Sequence, residues 1–191
     1  MPNTPMGYRR RNSLRHKSFD YTSAAAYFVT ICVDHGRCVF GQIVDSVNPL
    51  GQIADQAWAR ILKNHPNAQL DTHVVMPNHG HAVLWLHIDP DQPPSAAPVK
   101  ARRFGDAIAG SLSTLVNSYK SSVTQQAQHR GLLLDGSFWQ SNFHDHIVRG
   151  DQELQRIRDY IQSNPARWLE DQLHPKAPIN QFNRTWNREN A

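Results

Sequence analysis

The stretch Val74-Val-Met-Pro-Asn-His-Gly-His-Ala-Val-Leu-Trp-Leu86 decides how this chain folds. Pro77-Asn78 is a turn signal between two runs rich in β-branched and apolar residues. It predicts two strands, roughly Gln69 to Met76 and Asn78 to Ile88. In the second strand Val83 and Trp85 point to one face, while Ala82, Leu84 and Leu86 point to the other. Apolar residues on both faces predict a strand in the middle of a sheet that helices cover.

Upstream, Ala24 to Val33 reads as a strand, Asp34-His35-Gly36-Arg37 as a turn, and Cys38 to Val44 as the returning strand of a hairpin. A helix is predicted from Gly51 to His65, with Ile53, Ala57, Ile61 and Leu62 inward and Pro66 as its stop. Downstream, Asp89 to Pro98 holds Pro90, Pro93, Pro94 and Pro98 and reads as a loop. Phe104, Ile108, Leu112, Leu115, Val116, Tyr119 and Val123 then recur at helical spacing, with the intervening serines as a polar face. A turn at Asp135-Gly136, an extended segment around Trp139 and a short β-like run from His144 to Arg149 follow. A second strong helix opens at Gly150-Asp151, with Asp151 as its cap, and ends near Asn164 because Pro165 disfavours α geometry before it. A short helix at Ala166 to Gln172 and a polar tail complete the order. Hairpins with helices between them predict an α+β fold: a ferredoxin-like, split βαβ sandwich with helices packed on a mostly antiparallel sheet.

The chain has 191 residues, enough for one domain with tails. Its organisation reads as a basic arm over 1–20, a single domain over 21–173 and a polar tail over 174–191. No apolar stretch is long enough to span a bilayer, and the N-terminus lacks the apolar centre of a signal peptide. With only Cys32 and Cys38, no disulfide framework holds the fold, and a reducing cytoplasm is the expected setting. A formal charge of +4 is compatible with a polyanionic partner without demanding one. Its placement says more: Arg9, Arg10, Arg11, Arg15 and Lys17 all precede the first acid, Asp20. Such an arm is either a solvated leader or a segment that lies along nucleic-acid phosphates.

Three groups of residues are chemically suggestive. His79 and His81 are two apart on the central strand, so both imidazoles face the same way and can reach one metal ion; the bland alternative is two of the 11 histidines that happen to alternate. Tyr160 and Asn164, four apart, share one side of the second strong helix, at the edge of the Leu154, Ile157 and Ile161 stripe. Spacing alone favours a boundary tyrosine and a helix-ending asparagine over a pair of site residues. His144 and His146 also alternate and offer a ligand, a base or a structural pair. No phosphate-binding glycine loop, nucleophile elbow or kinase signature is present.

Taken together and in order, several blocks resemble the single-tyrosine HUH transposases, most closely the REP-associated tyrosine transposases. The blocks are Ala26-Tyr-Phe-Val-Thr-Ile-Cys32, Val74-Val-Met-Pro-Asn-His-Gly-His81, Tyr119-Lys-Ser-Ser-Val-Thr124, Phe138-Trp-Gln-Ser-Asn-Phe-His-Asp-His-Ile-Val-Arg149 and Ile157-Arg-Asp-Tyr-Ile-Gln-Ser-Asn-Pro165. The resemblance implies a ferredoxin-like sheet, a divalent-metal site on its central strand and a nucleophilic tyrosine on a C-terminal helix. On these residues, His79 and His81 would be the paired ligands, Asn164 the amide-oxygen ligand and Tyr160 the nucleophile, with His146 a candidate auxiliary base. Gly80 departs from the bulky apolar residue usual at that place, which weakens packing but leaves the direction of both histidines unchanged.

The implied activity is metal-dependent cleavage and rejoining of single-stranded DNA beside a hairpin, through a 5′-phosphotyrosine, with Mg²⁺ or Mn²⁺. The partner is single-stranded or hairpin DNA, met by Arg9, Arg10, Arg11, Lys120, Arg149, Arg156, Arg158 and Arg167 as candidate phosphate contacts. A monomer in the bacterial cytoplasm, associated with the nucleoid, is expected, with a homodimer as the alternative. Two other functions compete. One is a non-catalytic hairpin-binding module derived from a transposase. The other is an unrelated metal-dependent hydrolase using His79, His81 and His144 or His146.

Overall fold

The computed structural model describes residues 24–42, 46–87, 110–132 and 138–178. Its strands are β1 (Ala25–Cys32), β2 (Gly41–Gln42), β3 (Ser46–Val47), β4 (Ala68–Met76), β5 (His79–Leu86) and β6 (His144–Ile147). Its helices are α1 (Pro49–Leu62), α2 (Leu112–His129) and α3 (Asp151–Ser163), with 3₁₀ turns at Asp34–Gly36 and Pro165–Glu170. The basic arm, the proline-rich loop, Phe104, Ile108, the Asp135-Gly136 turn and most of the polar tail lie outside the described residues.

Four strands form one antiparallel sheet in the order β4-β5-β1-β6. In chain order this is β1-α1-β4-β5-α2-β6, so β5 inserts between the two strands that α1 connects. That is the split βαβ arrangement the sequence predicts. Alternation sorts each strand between two helical layers. Tyr27, Val29 and Ile31 of β1 and Ala82, Leu84 and Leu86 of β5 are buried with α1 and α2. Ala26 and Val83 are buried on the opposite face, against Leu154 and Ile161 of α3. The doubly apolar pattern of β5 thus reflects helices on both of its faces.

Local chemistry sets the helix ends. Asn48 caps α1, its side chain accepting from Gly51 N at 2.9 Å, and Pro49 takes the first helical position. The helix therefore starts two residues before the predicted Gly51 and ends before His65. Ser111, read from the sequence as part of a polar face, caps α2 by accepting from Thr114 N at 3.3 Å. At α3 the cap is Gly150, not Asp151. With no side-chain oxygen there, Glu153 reaches back to accept from Arg149 N, the residue before the cap, and ties the entering chain to the first turn.

One expected element is replaced. The segment after β1 does not return along it as a hairpin, because β5 and β6 occupy both edges of β1. Phe40 N instead donates to Pro77 O at 3.0 Å, and the Phe40 ring is buried against Phe138 and Trp139. The chain then forms a separate two-stranded ribbon, β2 with β3. The predicted short helix over Ala166 to Gln172 is the 3₁₀ turn at Pro165–Glu170.

Candidate active site

In β5, His79 and His81 share the α3-facing side with Val83 and Trp85. Across the sheet, Thr30 lies opposite His81 on one edge of β1 and opposite His144 on the other, while Phe28 lies opposite His146. Directly paired residues point to the same face. One row of polar and aromatic side chains therefore crosses three strands beneath α3.

The two imidazoles converge. His79 Nε2 and His81 Nε2 are 3.0 Å apart, and both residues are buried, at 0% and 3% exposure. Burial drives both pKa values down, His79 well below its ordinary value and His81 to about 3, so both rings are neutral, as metal ligands must be. Each remaining ring nitrogen has a partner: His79 Nδ1 lies 2.8 Å from Asn78 Oδ1, and His81 Nδ1 lies 2.9 Å from Thr30 Oγ1.

Helix α3 brings in the tyrosine. Tyr160 is 42% exposed, and its hydroxyl lies 3.4 Å from His81 Nε2. Its ring stands edge-on to Phe28 at 6.0 Å, and Phe28 stacks on His81 at 5.3 Å, so one aromatic ring supports both groups. The helix is tied to the sheet by Arg158, whose Nε donates to Asp71 Oδ1 at 2.7 Å and whose second nitrogen reaches Oδ2. Trp85 Nε1 also donates to Asp71 at 3.0 Å, and these contacts hold the Asp71 carboxyl below its usual range.

One turn past Tyr160, Asn164 is buried, and its Oδ1 has no hydrogen-bond partner. The following 3₁₀ turn carries Asp171 inward. Its Oδ2 lies 3.8 Å from His79 Nε2, and His79, His81 and Asp171 each offer one donor atom within 4.8 Å of the others. Leu173 anchors that segment by burying its side chain against Cys32. Burial first, and then the Asp171 charge, raise the Tyr160 pKa; the Asn164 amide and Arg167 pull it down.

A divalent cation suits this donor set. Adjacent ligands of an octahedral ion with bonds of about 2.1 Å lie about 3.0 Å apart, which matches the imidazole pair. The Asp171 carboxylate, 3.8 Å from His79, and the unpartnered amide oxygen of Asn164, a residue lining the same cleft, are hard donors that supply no proton of their own. Asp171 was not foreseen from the sequence, since it is separated from the histidines by most of the domain and follows no ligand spacing. Asn78 and Thr30, which stand behind the two imidazoles, were not singled out either.

The other expected residues are distributed differently. His146 lines the same cleft, exposed, with Nε2 2.9 Å from Glu153 Oε1. His144 lines it too, its pKa lowered mainly by burial. Lys120 does not face solvent: it is buried, donating to Gln140 O at 2.7 Å and Asn142 O at 2.9 Å. Arg158 is engaged by Asp71, whereas Arg149 and Arg156 are exposed on the surface. Arg9, Arg10 and Arg11 fall outside the described residues. The cleft encloses about 640 Å³, between β1, β6, α3 and the 3₁₀ turn after it.

No family model matches the chain. A protein of Haemophilus influenzae, uncharacterized, is 33% identical over 174 residues, which cover 88% of this chain and 95% of that one. The solved structure of a REP-associated tyrosine transposase bound to a REP hairpin superposes with a TM-score of 0.53 at 20% identity, covering 96% of this chain and 87% of the other. The chain thus belongs to one family with the Haemophilus influenzae protein and has the fold of a REP-associated tyrosine transposase.

Proposed function

We propose that this protein cleaves and rejoins single-stranded DNA at the flank of a hairpin, through a covalent tyrosine intermediate. The observation that carries the reading is the meeting of the Tyr160 hydroxyl with a buried pair of neutral imidazoles, 3.4 Å from the nearer ring nitrogen, at an open cleft. The hairpin partner is taken from the transposase whose fold the chain shares.

His79 and His81 would hold Mg²⁺ or Mn²⁺ together with Asn164 Oδ1 and Asp171. When bound, the cation neutralises the non-bridging oxygens of a phosphodiester and offsets the Asp171 charge that opposes a phenolate at Tyr160. The rest falls to the chain. Phe28 and the Arg158–Asp71 clamp fix the phenol ring and its helix. The Tyr160 oxygen attacks phosphorus and gives up its proton, and the bond from phosphorus to the 3′ oxygen breaks, leaving a free 3′-OH and a 5′-phosphotyrosine. Because one phosphodiester replaces another, a 3′-OH can later reverse the step on a different strand. His146, beside Glu153, is the candidate proton acceptor, and the exposed Arg149, Arg156 and Arg167, the last with its Nε donating to Glu170 at 3.1 Å, are the candidate phosphate contacts.

The reading takes the chain as a monomer with a catalytic domain over 21–173, flanked by the arm 1–20 and the tail 174–191. No helix among the described residues is long and apolar enough to cross a membrane, and an enzyme acting on DNA in this way would work in the cytoplasm. The test is a hairpin oligonucleotide with a single-stranded flank, incubated with Mn²⁺ or Mg²⁺ and run on a denaturing gel. A protein–DNA adduct that forms with the native chain and disappears in Tyr160→Phe supports the reading. Nicking without adduct, or an adduct that survives Tyr160→Phe, overturns it. Hairpin binding that is insensitive to chelator, with no cleavage, would identify a binding module instead.

A further inference from the structure

The amide of Asn78 is fully buried at the turn between β4 and β5, and every polar atom of it is engaged. Its nitrogen donates to Gly36 O at 3.1 Å and to Leu173 O at 2.7 Å. Both partners are main-chain carbonyls, which only accept, so they fix which end of the amide is nitrogen. The oxygen must then be the atom that faces His79, 2.8 Å from Nδ1. An amide oxygen cannot donate. For that contact to be a hydrogen bond, His79 Nδ1 must carry the proton, and in a neutral ring this leaves a lone pair on Nε2.

His81 is supported differently. Its Nδ1 faces the Thr30 hydroxyl at 2.9 Å, and a hydroxyl can either give or take a proton in that bond. His81 can therefore present Nε2–H to the His79 lone pair, 3.0 Å away, or turn its own lone pair to a cation. One imidazole is locked and its neighbour is adjustable, and the difference lies in what stands behind each ring.

We propose that Asn78 is the positioning residue of the histidine pair: it holds His79 in the Nδ1–H tautomer, so that the Nε2 lone pair faces the site before any metal arrives. The inference rests on the metal-site reading for its purpose, but not for its structural content. The same amide also grips the main chain at Leu173, two residues after Asp171, whose carboxylate accepts from Leu173 N at 2.6 Å. One side chain thus sets a ligand atom on β5 and secures the segment that brings the carboxylate towards it. Ligand-orienting partners of this kind commonly account for about 10- to 100-fold in metal affinity.

The test uses the full chain with ¹⁵N-labelled histidine, stripped with chelator, and a long-range ¹H–¹⁵N spectrum that distinguishes the two neutral tautomers. In the native chain His79 should be a single Nδ1–H species. In Asn78→Ala it should become a mixture, and Mn²⁺ affinity, read by loss of the free-ion EPR signal, should fall about 10- to 100-fold. Asn78→Asp retains an acceptor at Nδ1 and should keep the tautomer, while losing both carbonyl contacts, and with them the hold on the Asp171 segment and part of the affinity. Finding His79 as Nε2–H in the native chain overturns the proposal. So does Asn78→Ala with an unchanged tautomer and unchanged affinity, since a turn residue with a purely structural role would behave that way. If the native chain binds no Mn²⁺ at all, the metal reading fails, while the native spectrum still decides the role of Asn78.

Discussion

The carboxylate of Asp171 lies 3.8 Å from His79 Nε2, although the two residues sit on opposite sides of the active-site segment, one on β5 and one past the tyrosine helix. That proximity gives Asp171 two opposed effects. It adds a donor for a cation, and without a cation its charge raises the Tyr160 pKa. Asp171→Asn should therefore weaken Mn²⁺ binding by about 10-fold or more while lowering the phenol pKa in the metal-free protein. Calorimetric titration with Mn²⁺ and a ¹³C-tyrosine pH titration read the two effects separately. A phenol pKa that stays fixed would show that Asp171 exerts no field at Tyr160.

The Arg158–Asp71 pair ties α3 to β4, and Trp85 donates to the same carboxylate. Since Arg158 is two residues from Tyr160, its first role is to set the pitch of the tyrosine helix on the sheet. The pair is partly exposed, with Arg158 at 35% and Asp71 at 11%, so its coupling in a double-mutant cycle of Arg158→Ala with Asp71→Ala should be modest. Adduct formation should fall more than stability does, because a loosened helix moves the hydroxyl away from its 3.4 Å station. Cleavage that tracks only the folded fraction would rule out this positioning role.

Gly80 sits between the two histidines with its α-carbon facing α1 and α2. Its φ is not positive, and an added Cβ would meet only Val74 O at 3.5 Å, an ordinary contact. Gly80→Ala should therefore stabilise the fold by about 0.5–1 kcal/mol by reducing the freedom of the unfolded chain. It should leave Mn²⁺ affinity unchanged because the side chain points away from the imidazoles. A thermal melt shifted upward by about 1–4 °C is the expected signature. A downward shift would mean that the strand needs glycine here for a reason the backbone geometry does not reveal.

What could be read from the sequence follows how local each cause is. The alternation Val83, Trp85 against Ala82, Leu84 and Leu86 encodes a two-sided strand within eight residues, so β5 and the shared direction of His79 and His81 were legible. The stripe Leu154, Ile157 and Ile161 likewise placed Tyr160 at the edge of a buried face. Asp171 was not legible, because it enters through a turn held by Leu173 on Cys32 and by Asn78 across 95 residues. The missing hairpin partner of β1 has the same cause: β5 and β6, both distant in sequence, occupy its edges. Lys120 was misplaced on the surface because the carbonyls that bury it lie 20 and 22 residues later.

Lys120 also gives the fold a pH dependence of definite sign. Burial lowers its pKa from 10.5 to about 8, against a smaller opposing influence from Cys32. The unfolded chain therefore holds this proton up to higher pH than the folded one. Below about pH 8 the ammonium is charged in both states, and its burial is a constant cost, partly offset by bonds to Gln140 O and Asn142 O. Between about pH 8 and 10.5 the unfolded state binds more protons, so stability rises with pH across that window and levels off above it. Cys32, a buried thiol raised from 9.0 to about 12, acts in the opposite direction from about pH 9 upward and so overlaps the lysine window, which is why the measurement must be a difference. Denaturant unfolding of the native chain and of Lys120→Met, compared from pH 7 to 10.5, should show the native chain gaining relative stability by a few kcal/mol at most. Lys120→Met should itself be less stable at pH 7, because it leaves the Gln140 and Asn142 carbonyls without their donor. A flat difference would mean that the lysine is solvated in the folded state, and that its ammonium is free to meet a phosphate after all.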